Sequence, residues 1–144
     1  MQGDSGVQLA QLLTRSFDAM VESARSELAR AGHPDLTVAA EFALQAIDAG
    51  ADSAADLGRA LDVSRQAAAK TIASLERSGY VERTADVGDA RRKHLVVSER
   101  GREAIAVGAA GFEAAYQRWR RVVGDELAES VVVALRALAS PSHR

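Results

Sequence analysis

The segment "SRQAAAKTIASLERSGYVERTADVGDARRKHLVVS", Ser64–Ser98, decides the fold. In its first half Ala68, Ile72 and Leu75 stand at i, i+4 and i+7, one apolar stripe of a helix. Ser64 offers a side-chain oxygen of the kind that caps a helix N-terminus, and Gly79 suits the left-handed residue that ends one. After Gly79 the pattern changes from a period of about 3.6 to one of about 2. "YVERTA" is β-prone, "DVGDAR" is rich in turn formers, and "KHLVVS" returns as a second strand with Leu95 and Val97 on one face. The segment reads as a helix followed at once by a β-hairpin.

Working outward, "SAAD" (Ser53–Asp56) has a capping-box-like spacing and opens a short helix through Leu61, which "LDVS" breaks before Ser64. Two short helices joined by about three residues form a helix-turn-helix pattern, and a hairpin directly behind the second is a wing. From Val7 to Ala31, Leu9, Leu13, Phe17, Met20, Ala24 and Leu28 mark a long amphipathic helix, closed by Gly32 and Pro34. Thr37 opens a helix whose expected buried stripe is Phe42, Ala43, Ala46 and Ile47, ended by Gly50. Ser98 caps a long helix in which Ile105, Phe112, Tyr116, Trp119 and Val123 fall near one face, interrupted by Gly108 and Gly111. Gly124 and Asp125 break it, and Leu127, Val131, Leu135 and Leu138 lie at helical spacing in a last helix. The predicted fold class is mainly α with a small β-hairpin wing.

At 144 residues, 47% of them apolar, the chain is long enough for one domain with a real core. It has no cysteine, which removes disulfides and thiolate metal sites and fits a cytoplasmic protein. No stretch approaches the roughly 18 to 20 consecutive apolar residues that span a bilayer, and "MQGDSGVQLAQ" lacks the order of a signal peptide, so no membrane is expected. The net charge of −2 hides a gradient. Residues 1–58 carry three Arg against nine acids, whereas residues 59–102 carry ten Lys or Arg against six. Any contact with a polyanion belongs in that middle third.

With Ala68, Ile72 and Leu75 turned inward, the helix presents Arg65, Gln66, Ala67, Lys70, Ser74 and Arg77 outward. Arg can pair bidentately with guanine and Gln with adenine, a small Ala can approach a thymine methyl, and Lys and Ser reach phosphates. At the hairpin tip stand Arg91, Arg92 and Lys93, and such a tip can follow phosphates or insert an Arg into a narrow minor groove. Asp89, two residues before Arg91, is placed to orient it. Taken alone, either feature also fits an ordinary solvated helix or turn; their succession favours nucleic acid. No enzyme is indicated: G-x-S-x-G and a phosphate-binding Gly loop are missing, and His33, His94 and His143 are too scattered for a metal site. No cofactor is expected. His94, on a wing strand, is expected to be solvated.

The chain at this point resembles the MarR family of winged-helix transcription regulators. The resemblance rests on Ala55–Gly101, where Leu75, Glu76, Gly79, Val81 and Arg83 match "L-E-x-x-G-x-V-x-R". Asp86, Asp89, Arg91, Leu95 and Gly101 match "D-x-x-D-x-R-x-x-x-L-x-L-T-x-x-G", with Val97 and Ser98 in place of the usual Leu and Thr. The resemblance implies that Ser64, Arg65, Gln66, Ala67 and Lys70 face the major groove of double-stranded DNA. It further implies that Arg91 enters the minor groove, oriented by Asp89, with Arg92 and Lys93 near the backbone. It implies a homodimer through intertwined end helices, which agrees with apolar stripes at Leu9 and Leu13 and at Leu127, Val131, Leu135 and Leu138 that need partners. An effector pocket for a small aromatic ligand is implied too, with Phe17, Met20, His33, Phe42, Phe112, Tyr116 and Trp119 as candidate lining.

The expected organisation is an N-terminal dimerisation helix over 1–34, a winged helix-turn-helix DNA-binding domain over 35–98, C-terminal dimerisation helices over 99–140 and a tail over 141–144. The expected function is that of a ligand-responsive repressor on pseudo-palindromic DNA. The alternative is a winged-helix dimer that binds a protein or sequesters a ligand and no longer binds DNA. A metal-sensing regulator ranks below both, since thiolate ligands are lacking.

Overall fold

The side-chain oxygens of Thr37, Ser53, Ser64 and Ser98 start four of the helices. The structure is a computed structural model that describes residues 2–85, 88 and 93–140. After one 3-10 turn over Gln2–Asp4 come α1 (Ser5–Arg30) and α2 (Val38–Asp48), the latter capped by Thr37 Oγ1, which accepts from the Ala40 amide at 3.1 Å. Ser53 Oγ caps α3 (Ala54–Leu61) by accepting from the Asp56 amide at 3.1 Å, and Ser64 Oγ caps α4 (Arg65–Arg77) from the Ala67 amide at 3.0 Å. β1 (Val81–Ala85) and β2 (Lys93–Val97) pair antiparallel in a register from Val81 opposite Val97 to Ala85 opposite Lys93. α5 (Glu99–Val123) and α6 (Asp125–Ala139) complete the order. The fold is the mainly helical winged helix-turn-helix that the sequence predicts.

The chain divides into two compact units, with boundaries inside α1 and inside α5. The unit from Ala24 to Gly111 holds the winged segment. Its core joins Leu28, Leu44, Ile47, Leu57, Ile72, Leu75, Val81, Leu95, Val97 and Ala104, so helices α2 to α5 and both strands share one apolar interior. Leu95 and Val97 point into that core, as the alternation predicts.

Two expectations for this unit need correction. The buried stripe of α2 is Ala43, Leu44 and Ile47, and Phe42 is 37% exposed while its neighbour Glu41 is 1% exposed. Centring the stripe on Leu44 turns Phe42 outward, and apolarity alone does not reveal which of two adjacent residues faces a glycine. The second correction concerns Gly108 and Gly111, which do not interrupt α5. Both are buried within the helix, and a Cβ on Gly108 would overlap the Glu41 carboxyl. There the missing side chain makes room for a neighbour.

The other unit comprises the first 23 residues and those from Phe112 onward. Within it Arg118 donates to Ser23 Oγ at 3.2 Å, and Arg120 Nε donates to Asp125 Oδ1 at 2.7 Å across the break at Gly124. Ala128 is fully buried, whereas Leu9, Leu127, Val133, Leu135 and Leu138 are exposed. Leu13 and Val131 are half-buried.

Candidate nucleic-acid interface

The exposed face of α4 is assembled by the turn that precedes it. Asp62 closes α3 in the left-handed conformation (φ 55°, ψ 48°) and donates its N–H to the Gly58 carbonyl, and the Val63 N–H reaches the same carbonyl at 2.9 Å. A Cβ on Gly58 would stand 2.9 Å from the Val63 carbonyl oxygen, so residue 58 must be glycine for the turn to fold back so tightly. The chain then enters α4 through extended Ser64. Ala68, Ile72 and Leu75 are buried, and Ser64, Arg65, Gln66, Ala67, Lys70, Ser74 and Arg77 are all exposed. The outward set predicted from periodicity is exposed in full, and Ala69 is exposed with it.

The exit from α4 explains the motif "L-E-x-x-G-x-V-x-R" residue by residue. Leu75 is core, and its carbonyl accepts from the Tyr80 amide at 2.9 Å. Gly79 takes φ +79°, a left-handed residue that turns the chain out of the helix. Val81 starts β1 inside the core, and Arg83 on the same strand donates to Glu76 Oε1 of α4 at 3.0 Å. The C-terminal end of the hairpin, at its base, is tied in by Ser98, whose hydroxyl donates to the Gly79 carbonyl at 2.6 Å and accepts from the Gly101 amide at 3.1 Å.

A further tie holds β2, and its residues escaped the sequence reading. Asp52, in the connection between α2 and α3, has Oδ2 2.5 Å from His94 Nδ1, and its Oδ1 accepts from the Leu95 amide at 2.8 Å. His94, expected to be merely solvated, is half-buried and paired. Behind it, the Asp52 amide donates to Asp56 Oδ2 at 3.2 Å and Arg59 donates to Asp56 Oδ1 at 2.6 Å. Of the expected wing contacts, Asp89, Arg91 and Arg92 lie outside the described residues, and only the backbone of Lys93 is described.

The model of the MarR family matches residues 35–92 of this chain. Through this segment the chain is similar to the MarR family. Solved structures of similar fold extend the likeness over nearly the whole length. FabT of Streptococcus pneumoniae, solved in complex with DNA, is 19% identical and superposes with a TM-score of 0.75 over 93% of this chain and 94% of its own. CouR of Rhodococcus jostii, bound to p-coumaroyl-CoA, is 22% identical with a TM-score of 0.71 over 94% of both chains. A MarR family protein of Mycobacterium tuberculosis, in complex with salicylic acid, is 25% identical with a TM-score of 0.66 over 91% of this chain and 96% of its own. Comparison with curated proteins gives no match.

The structure distributes the seven candidate pocket residues between the two units. Phe17, Met20, Phe112, Tyr116 and Trp119 fall in one, where the Tyr116 and Trp119 rings lie 6.0 Å apart. His33 and Phe42 fall in the other. His33 is buried and its Nδ1 lies 2.8 Å from the Tyr80 hydroxyl, to which Arg100 donates at 3.1 Å. The other ring nitrogen of His33, Nε2, lies 3.7 Å from Glu103 Oε1. The unit also carries a cavity of about 150 Å³ lined by Pro34, Leu36, Thr37, Ser74, Tyr80 and Arg100 among others.

Proposed function

We propose that this chain is a DNA-binding transcription regulator of the MarR family that acts as a homodimer, a repressor released by a small aromatic ligand. The observation that carries the reading is the exposed polar face of α4, with Ser64, Arg65, Gln66, Ala67, Lys70 and Ser74 in solvent directly before a wing. Arg65 and Gln66 would read base edges in the major groove, Lys70 and Ser74 would meet phosphates, and Asp89, Arg91, Arg92 and Lys93 would form the tip that reaches the adjacent minor groove. The DNA complex of the FabT structure supports this assignment.

The end helices, 1–34 and 99–140, would pair with those of a second copy and cover Leu9, Leu13, Leu127, Val131, Leu135 and Leu138. Two-fold symmetry would then present two recognition helices about one DNA turn apart on a pseudo-palindrome. Salicylic acid and p-coumaroyl-CoA in the related structures support a ligand bearing an aromatic ring, with Phe17, Met20, His33, Phe42, Phe112, Tyr116 and Trp119 as the side chains to probe. The place of action would be the cytoplasm. Selection of duplexes from a randomised pool by the purified protein tests the reading. An enriched pseudo-palindrome whose binding weakens steeply with salt is expected; a chain that retains no duplex at low salt would refute it.

A further inference from the structure

We propose that Asp52 is a positioning residue for DNA binding, a clasp that sets how the wing leaves the helix-turn-helix. The inference rests on the DNA-binding reading above. A two-stranded hairpin is at best marginally stable by itself, and this one is anchored to the core at its base, through Val81, Leu95 and Val97. The registered pairs end at Ala85 and Lys93, and the basic tip lies beyond them. An arm held only at its base can pivot, and any pivot there is amplified at the tip.

Asp52 meets the arm at Leu95 and one residue farther out, on the strand opposite the Arg83 that pairs with Glu76. Its two carboxylate oxygens contact consecutive residues of β2, the His94 ring at 2.5 Å and the Leu95 amide at 2.8 Å. His94 stands opposite Thr84, next to the last registered pair, so the grip falls one residue short of the end of the ladder. The Leu95 amide fixes the strand's height against the helices, and the His94 ring adds a charge-assisted contact that resists rotation of the strand. Asp52 is itself held, since its amide donates to Asp56, which Arg59 engages in turn. The clasp thus runs from the first turn of α3, the first helix of the helix-turn-helix, to the strand that carries Lys93. Wing and recognition helix touch separate parts of one duplex, so fixing their relation in advance removes a rotational cost from binding.

The test measures duplex affinity on the sequence that the wild-type protein itself selects. Asp52→Leu is expected to weaken binding about 10-fold. Asp52→Asn, which keeps an acceptor for the Leu95 amide and gives up the charge facing His94, is expected to fall between and covers the case in which the leucine variant fails to fold. The decisive readout is a double-mutant cycle with Arg91→Ala at the tip. If Asp52 acts through the wing, its replacement costs at most about 2-fold once the tip arginine is gone, while a general loss of fold would cost the same in both backgrounds. Equal losses in both backgrounds, or affinities for both Asp52 variants within about 2-fold of wild type, overturn the proposal. In parallel, the His94 ring resonances of Asp52→Asn in free protein must titrate differently from wild type; unchanged titration overturns the clasp without reference to DNA. A wild-type chain that retains no duplex overturns the DNA reading and, with it, the role given to the clasp.

Discussion

The Glu41 carboxyl on α2 lies against Gly108 of α5 so closely that any Cβ at residue 108 would overlap it. Among the described residues neither buried carboxylate oxygen has a hydrogen-bond partner, and the Gln45 amide, one turn along α2, favours the charged form only weakly. Burial dominates and pushes the carboxyl above its ordinary value of 4.5. Between the ordinary value and the raised one the folded chain keeps a proton that the unfolded chain releases. Stability therefore falls as pH rises through that interval and stays lower above it. Glu41→Gln is expected to be more stable than wild type at neutral pH by about 1 to 3 kcal/mol, and the gain should vanish below about pH 4. Urea unfolding at both pH values decides, and a gain that does not depend on pH would refute the account.

Gly101 is packed differently. A Cβ there would run into the Tyr80 carbonyl oxygen and a methyl of Val97 at 2.6 Å, so backbone, which cannot swing aside, forms part of the wall. Alanine gains about 1 kcal/mol in helix propensity over glycine, less than overpacking against backbone costs. Gly101→Ala is expected to lower stability by up to about 2 kcal/mol net, read from thermal or urea unfolding. An unchanged midpoint would mean that α5 can shift away from Tyr80.

Ser64 and Gln66 separate a structural from a recognition role on α4. Ser64 Oγ accepts the Ala67 amide, so Ser64→Ala is expected to cost about 1 kcal/mol of stability, with a matching loss of protection at the start of the helix. Gln66→Ala should leave the unfolding midpoint in place, weaken duplex binding by about 1 to 3 kcal/mol and relax discrimination at one base pair. If both variants behaved alike in both assays, the docking mode given to α4 would be wrong.

A charge in the apolar face of α6 tests the proposed dimer. Leu127 and Leu138 are more than half exposed in the single chain. Leu127→Asp and Leu138→Asp are expected to leave helix content intact and to shift the sedimenting mass toward that of one chain. A single-chain mass for the unaltered protein, or variants that sediment unchanged, would count against pairing through this face.

Local features of the chain were legible in advance because each is carried by residues a few positions apart. Thr37, Ser53 and Ser64 as caps, Gly79 as the left-handed exit and the outward set on α4 follow from backbone geometry that repeats every turn. So does the alternation that buries Leu95 and Val97. The tip residues Asp89, Arg91 and Arg92 rest on the motif they belong to, outside the described residues. Other relationships had no local signature. Asp52 meets His94 across 42 positions and His33 meets Tyr80 across 47, pairings that exist only once the core has folded. Glu41 is buried and Phe42 exposed because a glycine far along the chain leaves room for one and not the other. Periodicity specifies the elements and the faces they turn inward. Which polar groups meet is settled by complementarity between elements, which no spacing along the chain encodes.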